Sequence, residues 1–363
     1  MRLRRWLPVL LLTVPLVAAS GPFGMTGRVP FAGCAMPPVV TGPLPERLSQ
    51  TGLFSDVATL TPAPGLVPYD MISPLWSDGA NKRRWVALPT GTTIGFSPTG
   101  EYQWPQGTLF IKHFEREVDA ASHRVQRLET RVLVLDAAGP GTYGVTYRWR
   151  PDGQDADLVP ADGAEEVLAL RDAGGAAGTQ TWSYPSRENC LTCHTPAAAY
   201  VLGPKTAQLN GTFTYPDGTT AHQLRTWNHL GLFNRKVEDA DLASAPTMAA
   251  IDDPQADLTR RVRSYLDANC ASCHRPEGVG SDLDLRFTTP LEATGLIGGL
   301  VRNDMGIDGA APIVPGDVAR SVVHYRMRST VPEERMPQIG RALVDQPAVD
   351  AVAAWIAQLP KTP

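Results

Sequence analysis

The chain has 363 residues, enough for two or three domains and a substantial core. A formal net charge of −4 without any long basic block argues against nucleic acid as a partner. Thirty-three glycines and thirty-three prolines predict many turns and long irregular connections.

The first residues have the pattern of an export signal. Met1 to Arg5 is a positive stretch, Trp6 to Ala19 is a short apolar run, and small residues follow at Ala18, Ala19, Ser20 and Gly21. The run is short for a membrane span, and nothing downstream resembles a second one. A signal peptide over 1–20 and a soluble, periplasmic product are therefore expected. Cys34 offers an alternative. The segment Phe31-Ala-Gly-Cys34 resembles the end of a bacterial lipoprotein signal, which would make 1–33 the leader and Cys34 a lipid anchor. Against it stand the unusual Phe31 and an apolar run that stops well before the cysteine.

Residues 43–185 read as strands and turns. Segments 82–88, 108–114, 127–135, 142–149, 165–170 and 179–184 are rich in β-branched and aromatic residues or alternate with period two. In the fourth, Tyr143, Val145, Tyr147 and Trp149 fall on one face. Gly- and Pro-containing turns separate these segments. The spacing predicts an antiparallel β-sandwich or jelly-roll-like domain. His113 and His123 stand alone, as strand or surface histidines do, and Lys82-Arg83-Arg84 has the character of a solvated face. No phosphate loop or nucleophile elbow is present, and no catalytic residue is assigned.

Residues 186–252 hold short helical pieces, a hairpin-like turn at Tyr215-Pro-Asp-Gly218, and a helix predicted over 223–233. From 253 to 363 a helix is predicted to start at Asp253-Pro254, with Leu258, Val262, Tyr265 and Leu266 on one side. A short helix should follow Asp317 and run through Met327. A closing amphipathic helix is predicted over 347–359, with Val349, Val352, Ile356 and Leu359 on one side and Trp355 flanking.

Two five-residue motifs carry the chemistry. Cys190-Leu-Thr-Cys-His194 and Cys270-Ala-Ser-Cys-His274 both match CxxCH, the attachment signature of c-type haem. Two thiols form thioethers with the haem, and the adjacent imidazole is the proximal iron ligand. With seven histidines in 363 residues, a histidine after both pairs by chance has odds of roughly one in 2,500. Zinc ribbons place their CxxC pairs within about 15–20 residues of each other, far closer than Cys193 and Cys270. A thioredoxin-like pair requires a βαβ setting that neither motif has. Two haem c groups are therefore expected, held by Cys190, Cys193, Cys270 and Cys273, with His194 and His274 on iron.

For the second haem, Met336 in the Met-Pro loop before the closing helix is the expected distal ligand, with Met327 as competitor. For the first, His229 is the expected distal ligand, with His222, Met248 or an open iron as alternatives.

Together these residues resemble a bacterial family of di-haem c-type cytochromes that joins an N-terminal β-rich region to two CxxCH motifs. The resemblance spans nearly the whole chain after the export segment. It rests on Pro45-Glu-Arg-Leu-Ser49, Pro74-Leu-Trp-Ser-Asp78, Lys82 to Arg84, Gly203-Pro-Lys205, Val314-Pro-Gly-Asp317 and Met336-Pro337, besides the motifs. It implies a β-rich domain ahead of a mainly α, cytochrome c-like haem region. The expected function is electron transfer with a protein redox partner, such as an exported dehydrogenase or another cytochrome. Two alternatives stay open: a di-haem peroxidase-type enzyme with one open iron, and a β ligand-binding module coupled to the haems. Exposed Trp76, Trp85 and Trp104 lining a cleft would favour the latter.

Overall fold

The computed structural model of the protein describes residues 23–279 and 282–361. The expected signal peptide over 1–20 lies outside the described residues. The first eight of ten N-terminal strands are β1 (Phe54–Asp56), β2 (Thr61–Pro62), β3 (Val67–Tyr69), β4 (Asn81–Ala87), β5 (Leu109–Asp119), β6 (Arg124–Leu135), β7 (Thr142–Trp149) and β8 (Ala156–Leu158). The hairpin β9 (Ala164–Arg171) and β10 (Ala177–Tyr184) follows.

All of these except β1 and β2 join a single eight-stranded sheet. Its main path runs β10-β9-β5-β6-β7-β8, with β4 also paired to β5 and β3 to β4. Pairing is antiparallel apart from one bridge between Asp119 and Arg171. The antiparallel sheet matches expectation, but its strands form one sheet instead of the two facing sheets of a sandwich. The reason lies in what covers it. One face carries Trp85, Ile111, Val132, Val145, Tyr147 and Trp149, all closed over by Leu48, Leu53, Phe54 and Leu60 from the preceding turn and the β1–β2 hairpin. The other face carries Val86, Phe110 and Leu133 and is covered in part by helical residues Leu224, Trp227 and Leu232. Bulges at Phe114/Glu115 and Glu117/Asp119 bend β5, and the β9–β10 hairpin lays Trp182 and Tyr184 against Phe114 and Leu128.

His113 and His123 are structural. His113 is buried, with Nδ1 2.9 Å from Thr130 Oγ1 and its ring against Trp149. His123 sits in the β5–β6 turn, 2.8 Å from Glu117. The run at 82–84 is only partly a solvated face. Strand alternation leaves Arg83 exposed, paired to Glu115, and turns half-buried Lys82 and buried Arg84 to the opposite side.

After the sheet come α1 (Arg187–Cys193), α2 (Thr206–Leu209), the hairpin β11 (Thr212–Thr214) and β12 (Thr220–His222), α3 (Gln223–His229), α4 (Asp239–Ser244), α5 (Leu258–Cys270), α6 (Val322–Arg328) and α7 (Gln346–Gln358). Helix α3 stops at His229 because Gly231, at φ +64°, turns the chain out of the helix. Helix α5 starts later than expected. Asp257, not Asp253, caps it by accepting from Arg260 N–H at 2.9 Å, while Asp253 closes a separate turn through Gln255 N–H. In α7, Pro347 stands in the first turn and Asp345 is the cap. Trp355 does not flank the apolar side as expected. It is fully buried between α5 and α7, and its Nε1 donates to Thr259 Oγ1 at 3.1 Å. None of the helices among the described residues is long and apolar enough to cross a membrane.

The His113 imidazole, 3.6 Å away, and the Arg83 guanidinium at 3.0 Å hold the Glu115 carboxyl down to about 2. A depressed carboxylate stabilises the fold above its unfolded value near 4.5, and that contribution is lost as pH falls toward 2. For this partly exposed pair, Glu115→Gln should cost about 1–2 kcal/mol at pH 7. The difference from the parent chain in thermal melting should close as pH falls from 4.5 toward 2.

Candidate functional site

The first CxxCH motif occupies α1 and its cap. Ser186 and Asn189 form a reciprocal capping box, with Ser186 Oγ accepting from Asn189 N–H at 3.0 Å and Asn189 Oδ1 accepting from Ser186 N–H at 3.1 Å. That fixes the start of a seven-residue helix carrying Cys190 and Cys193 one turn apart. The helix rests on β7 at Gly144. A Cβ added at Gly144 would lie 2.8 Å from Cys190 Sγ, so no larger residue fits beneath the helix as it stands. His194 closes the helix through its N–H to Cys190 O, 3.0 Å. Its Nδ1 lies 2.6 Å from Tyr200 O, the geometry of an N–H held by a carbonyl. That bond leaves Nε2 as the lone-pair nitrogen, the arrangement metal-bound imidazoles use. Burial, with the nearby Lys112 and Arg131 charges, pushes the His194 imidazole down to about 4, so it is neutral at pH 7.

The second motif follows α5. Cys270 ends the helix, and Cys273 and His274 turn back so that both N–H groups reach Cys270 O, at 3.1 and 2.9 Å. Leu285 N–H donates to His274 O at 2.9 Å. Gly278 is packed tightly against Cys273 O. Burial pushes the Cys270 thiol up to about 12, and burial also lowers the His274 imidazole, which faces the Arg326 charge.

Folding brings the two motifs together. The Cys193 and Cys273 thiols are close enough to perturb one another. Within that pair the interaction raises Cys193 and lowers Cys273. Arg275, the next residue after the second motif, donates to Ala271 O at 2.5 Å, to Ala197 O just past the first motif at 3.2 Å, and to Glu101 at 2.9 Å. Lys205 pairs with Asp267 of α5 at 2.8 Å. The outer thiols diverge: Cys190 lies on β7, and Cys270 belongs to the core between α5 and α7. Among the described residues no three His, Cys, Asp or Glu side chains converge as a metal-ion site, and all five cysteines are unpaired.

These residues fit two separately anchored haems. Each motif offers two unpaired thiols and a histidine, and in the first the imidazole is neutral and oriented. Cys190, Cys193 and His194 would hold one group, and Cys270, Cys273 and His274 the other.

The distal candidates separate by burial. Met327 is inside the α5–α7 core. Met336 is half-buried in the loop between α6 and α7, its N–H donating to Arg326 O at 3.0 Å, on the same arginine that faces His274. His229 is exposed, stacks on Phe23 with ring centroids 4.3 Å apart, and points Nε2 at Thr26 O, 3.4 Å. Its contacts are thus with the N-terminal segment rather than with the first motif. His222 ends β12, and Met248 is fully buried beside α5. Cys34 is half-buried against the sheet core, and burial raises its thiol. The tryptophans do not line a cleft: Trp85 is in the core, Trp104 packs on Phe110, and Trp76 bonds to Leu343 O. Missed from sequence were Gly144, the Tyr200 carbonyl, Arg275 and the cations of β5 and β6 facing the first motif. Of these only the cations left a trace, a period-two placement in Lys112 and Arg131.

No protein-family model, curated protein or solved structure matches the chain.

Gly144→Val should unseat α1 from β7 and reduce haem attachment at the first motif. Pyridine haemochrome and intact mass should then report about one haem per chain. Gly178→Val in the outer strand β10, where a Cβ meets nothing within 4 Å, should leave the stoichiometry unchanged.

Proposed function

We propose that the protein is an exported di-haem c-type cytochrome that carries electrons between protein partners. The observation that carries this reading is the meeting of two CxxCH motifs, far apart in sequence, at the Cys193–Cys273 contact. Bound haem supplies reversible one-electron iron chemistry. The chain's own residues would anchor it through four thiols, orient His194 through Tyr200 O, and keep that imidazole unprotonated. The order of α5, the second motif, α6, the Met336 loop and α7 would suit a class I-like cytochrome c and supports this reading. Met336 is the distal ligand we assign there, and thioether ligation raises the potential relative to bis-histidine. His229, the ligand expected from sequence for the first haem, contacts Phe23 and Thr26, and we assign no distal ligand there.

The test is optical and EPR spectroscopy of the exported protein with Met336→Ala alongside. Two low-spin haems, one losing its Met–Fe(III) absorption band in the variant, are expected of an electron carrier with such ligation. A high-spin iron that binds peroxide would instead establish the peroxidase-type alternative.

The thiol contact favours one second reading, a redox dithiol made of Cys193 and Cys273. It requires a protein without haem, and a Cys193–Cys273 disulfide located by peptide mapping after oxidation would establish it.

We also infer cleavage after the 1–20 signal rather than before Cys34, with the product released to the periplasm. Residues 23–33 are part of the fold: Phe23 O accepts from Thr226, and Arg28 donates to Thr92 O at 2.9 Å. N-terminal sequencing of exported protein should begin near residue 21, and a blocked, acylated Cys34 would overturn this.

A further inference from the structure

One row of the sheet carries charge that the anchoring residues do not use. Arg84 of β4, Lys112 of β5, Arg131 of β6 and Thr146 of β7 stand directly opposite one another, three cations in succession on one face. Like charges placed opposite each other destabilise a sheet. Two of the three are offset locally: Asp70 pairs with Arg84, and Glu129 takes Arg131 through two hydrogen bonds of 2.9 and 2.6 Å. Lys112 has no ion pair among the described residues. Its ammonium lies 4.9 Å from the centre of the Phe114 ring. Burial and the neighbouring Arg84, Lys82 and Arg131 charges push it well below an ordinary lysine, because its charged form is not compensated here. Lys82, one position along the same face, is spent on Leu75 O at 2.6 Å.

The row has a definite neighbour. The next row on this face is Val86, Phe110, Leu133 and Gly144, and Gly144 is where Cys190 rests. The Arg131 charge reaches Cys190 and Cys193, and the Lys112 charge reaches Cys193 and His194.

We propose that Lys112, flanked by Arg84 and Arg131, receives the carboxylates of the haem anchored at Cys190 and Cys193, so that the β-sheet is a wall of that haem site. This rests on the di-haem reading and deepens it, giving the β-region a part in holding the cofactor. A cation fixed beside the haem favours the reduced, less positive iron, so its removal lowers the potential of that haem alone.

The experiment is a potentiometric titration of the exported holoprotein, parent chain against Lys112→Gln, with haem per chain counted by pyridine haemochrome. Both proteins should carry two haems, because attachment is through the thiols. In Lys112→Gln one of two redox waves should move down, lowering the ferrous-to-ferric ratio at fixed ambient potential about tenfold, or 59 mV for one electron. Lys112→Arg and the exposed control Lys236→Gln should leave both waves in place. Two unmoved waves in Lys112→Gln, or an equal shift in Lys236→Gln, overturn the proposal while the di-haem reading stands. A parent chain without haem overturns that reading instead. If Lys112→Gln does not fold, Lys112→Met, which keeps an unbranched stem without the charge, serves: the same downward direction in one wave is expected, and no movement overturns the proposal.

Discussion

A single buried guanidinium ties the two motifs and the sheet region into one site. Arg275 follows the second CxxCH motif directly and spends its donors on its own helix end, on Ala197 beyond the first motif, and on Glu101 from the region ahead of both. A planar fork spreads its donors over three nitrogens and so reaches three such separated partners, whereas a lysine in its place would offer one compact nitrogen. Removing one partner of a buried charge costs more than the pair gains. The Glu101 carboxylate and the two carbonyls are thus held in place as firmly as the arginine itself. Lys205, paired to Asp267 and near the same Glu101, extends this polar seam along α5. Without the seam, Cys193 and Cys273 have no reason to meet.

The sheet divides its labour between faces. One is an ordinary apolar core in which Tyr147 and Trp149 pack under the N-terminal segments. The other changes character along the strands. It is apolar where α3 covers it, tight and small at Gly144 where α1 sits, and cationic at Arg84, Lys112 and Arg131. A free-standing β-module would have no cause to crowd positive charge on a half-covered face. In this chain the crowding occurs beside the first CxxCH motif, and the run at 82–84 departs from a simple solvated surface.

Much of this organisation was legible in the sequence. Alternation located β4 to β7, β9 and β10 to within a few residues, because half-buried strands need period two. Tyr215-Pro-Asp-Gly218 announced the β11–β12 hairpin, and the heptad-like apolar positions announced α5 and α7. Single-sheet topology was not legible, because alternation says which face is buried and nothing about what buries it. The start of α5 was misplaced because Asp253 and Asp257 are both good caps, and only tertiary packing chooses between them. His229 looked like a ligand from its position after the first motif, yet Phe23, distant in sequence, offers it a stacking surface. The Cys193–Cys273 contact, Arg275 and Gly144 are products of three-dimensional assembly and have no local signature.

Asp78 has a consequence for the order in which the molecule comes together. Its carboxylate accepts from the N–H groups of Ala342 and Leu343, at 2.8 to 3.0 Å, while Trp76 N–H donates to Asn269 and its ring N–H to Leu343 O. These partners stand more than 190 positions away in the chain. A clasp of that span carries the loop-closure entropy of more than half the polypeptide and gains nothing until its far end arrives. Hairpins and helices form first, and the latch closes late. During that interval both cysteine pairs sit in an open chain, more accessible than in the closed fold, so the timing of this latch sets how long they stay so.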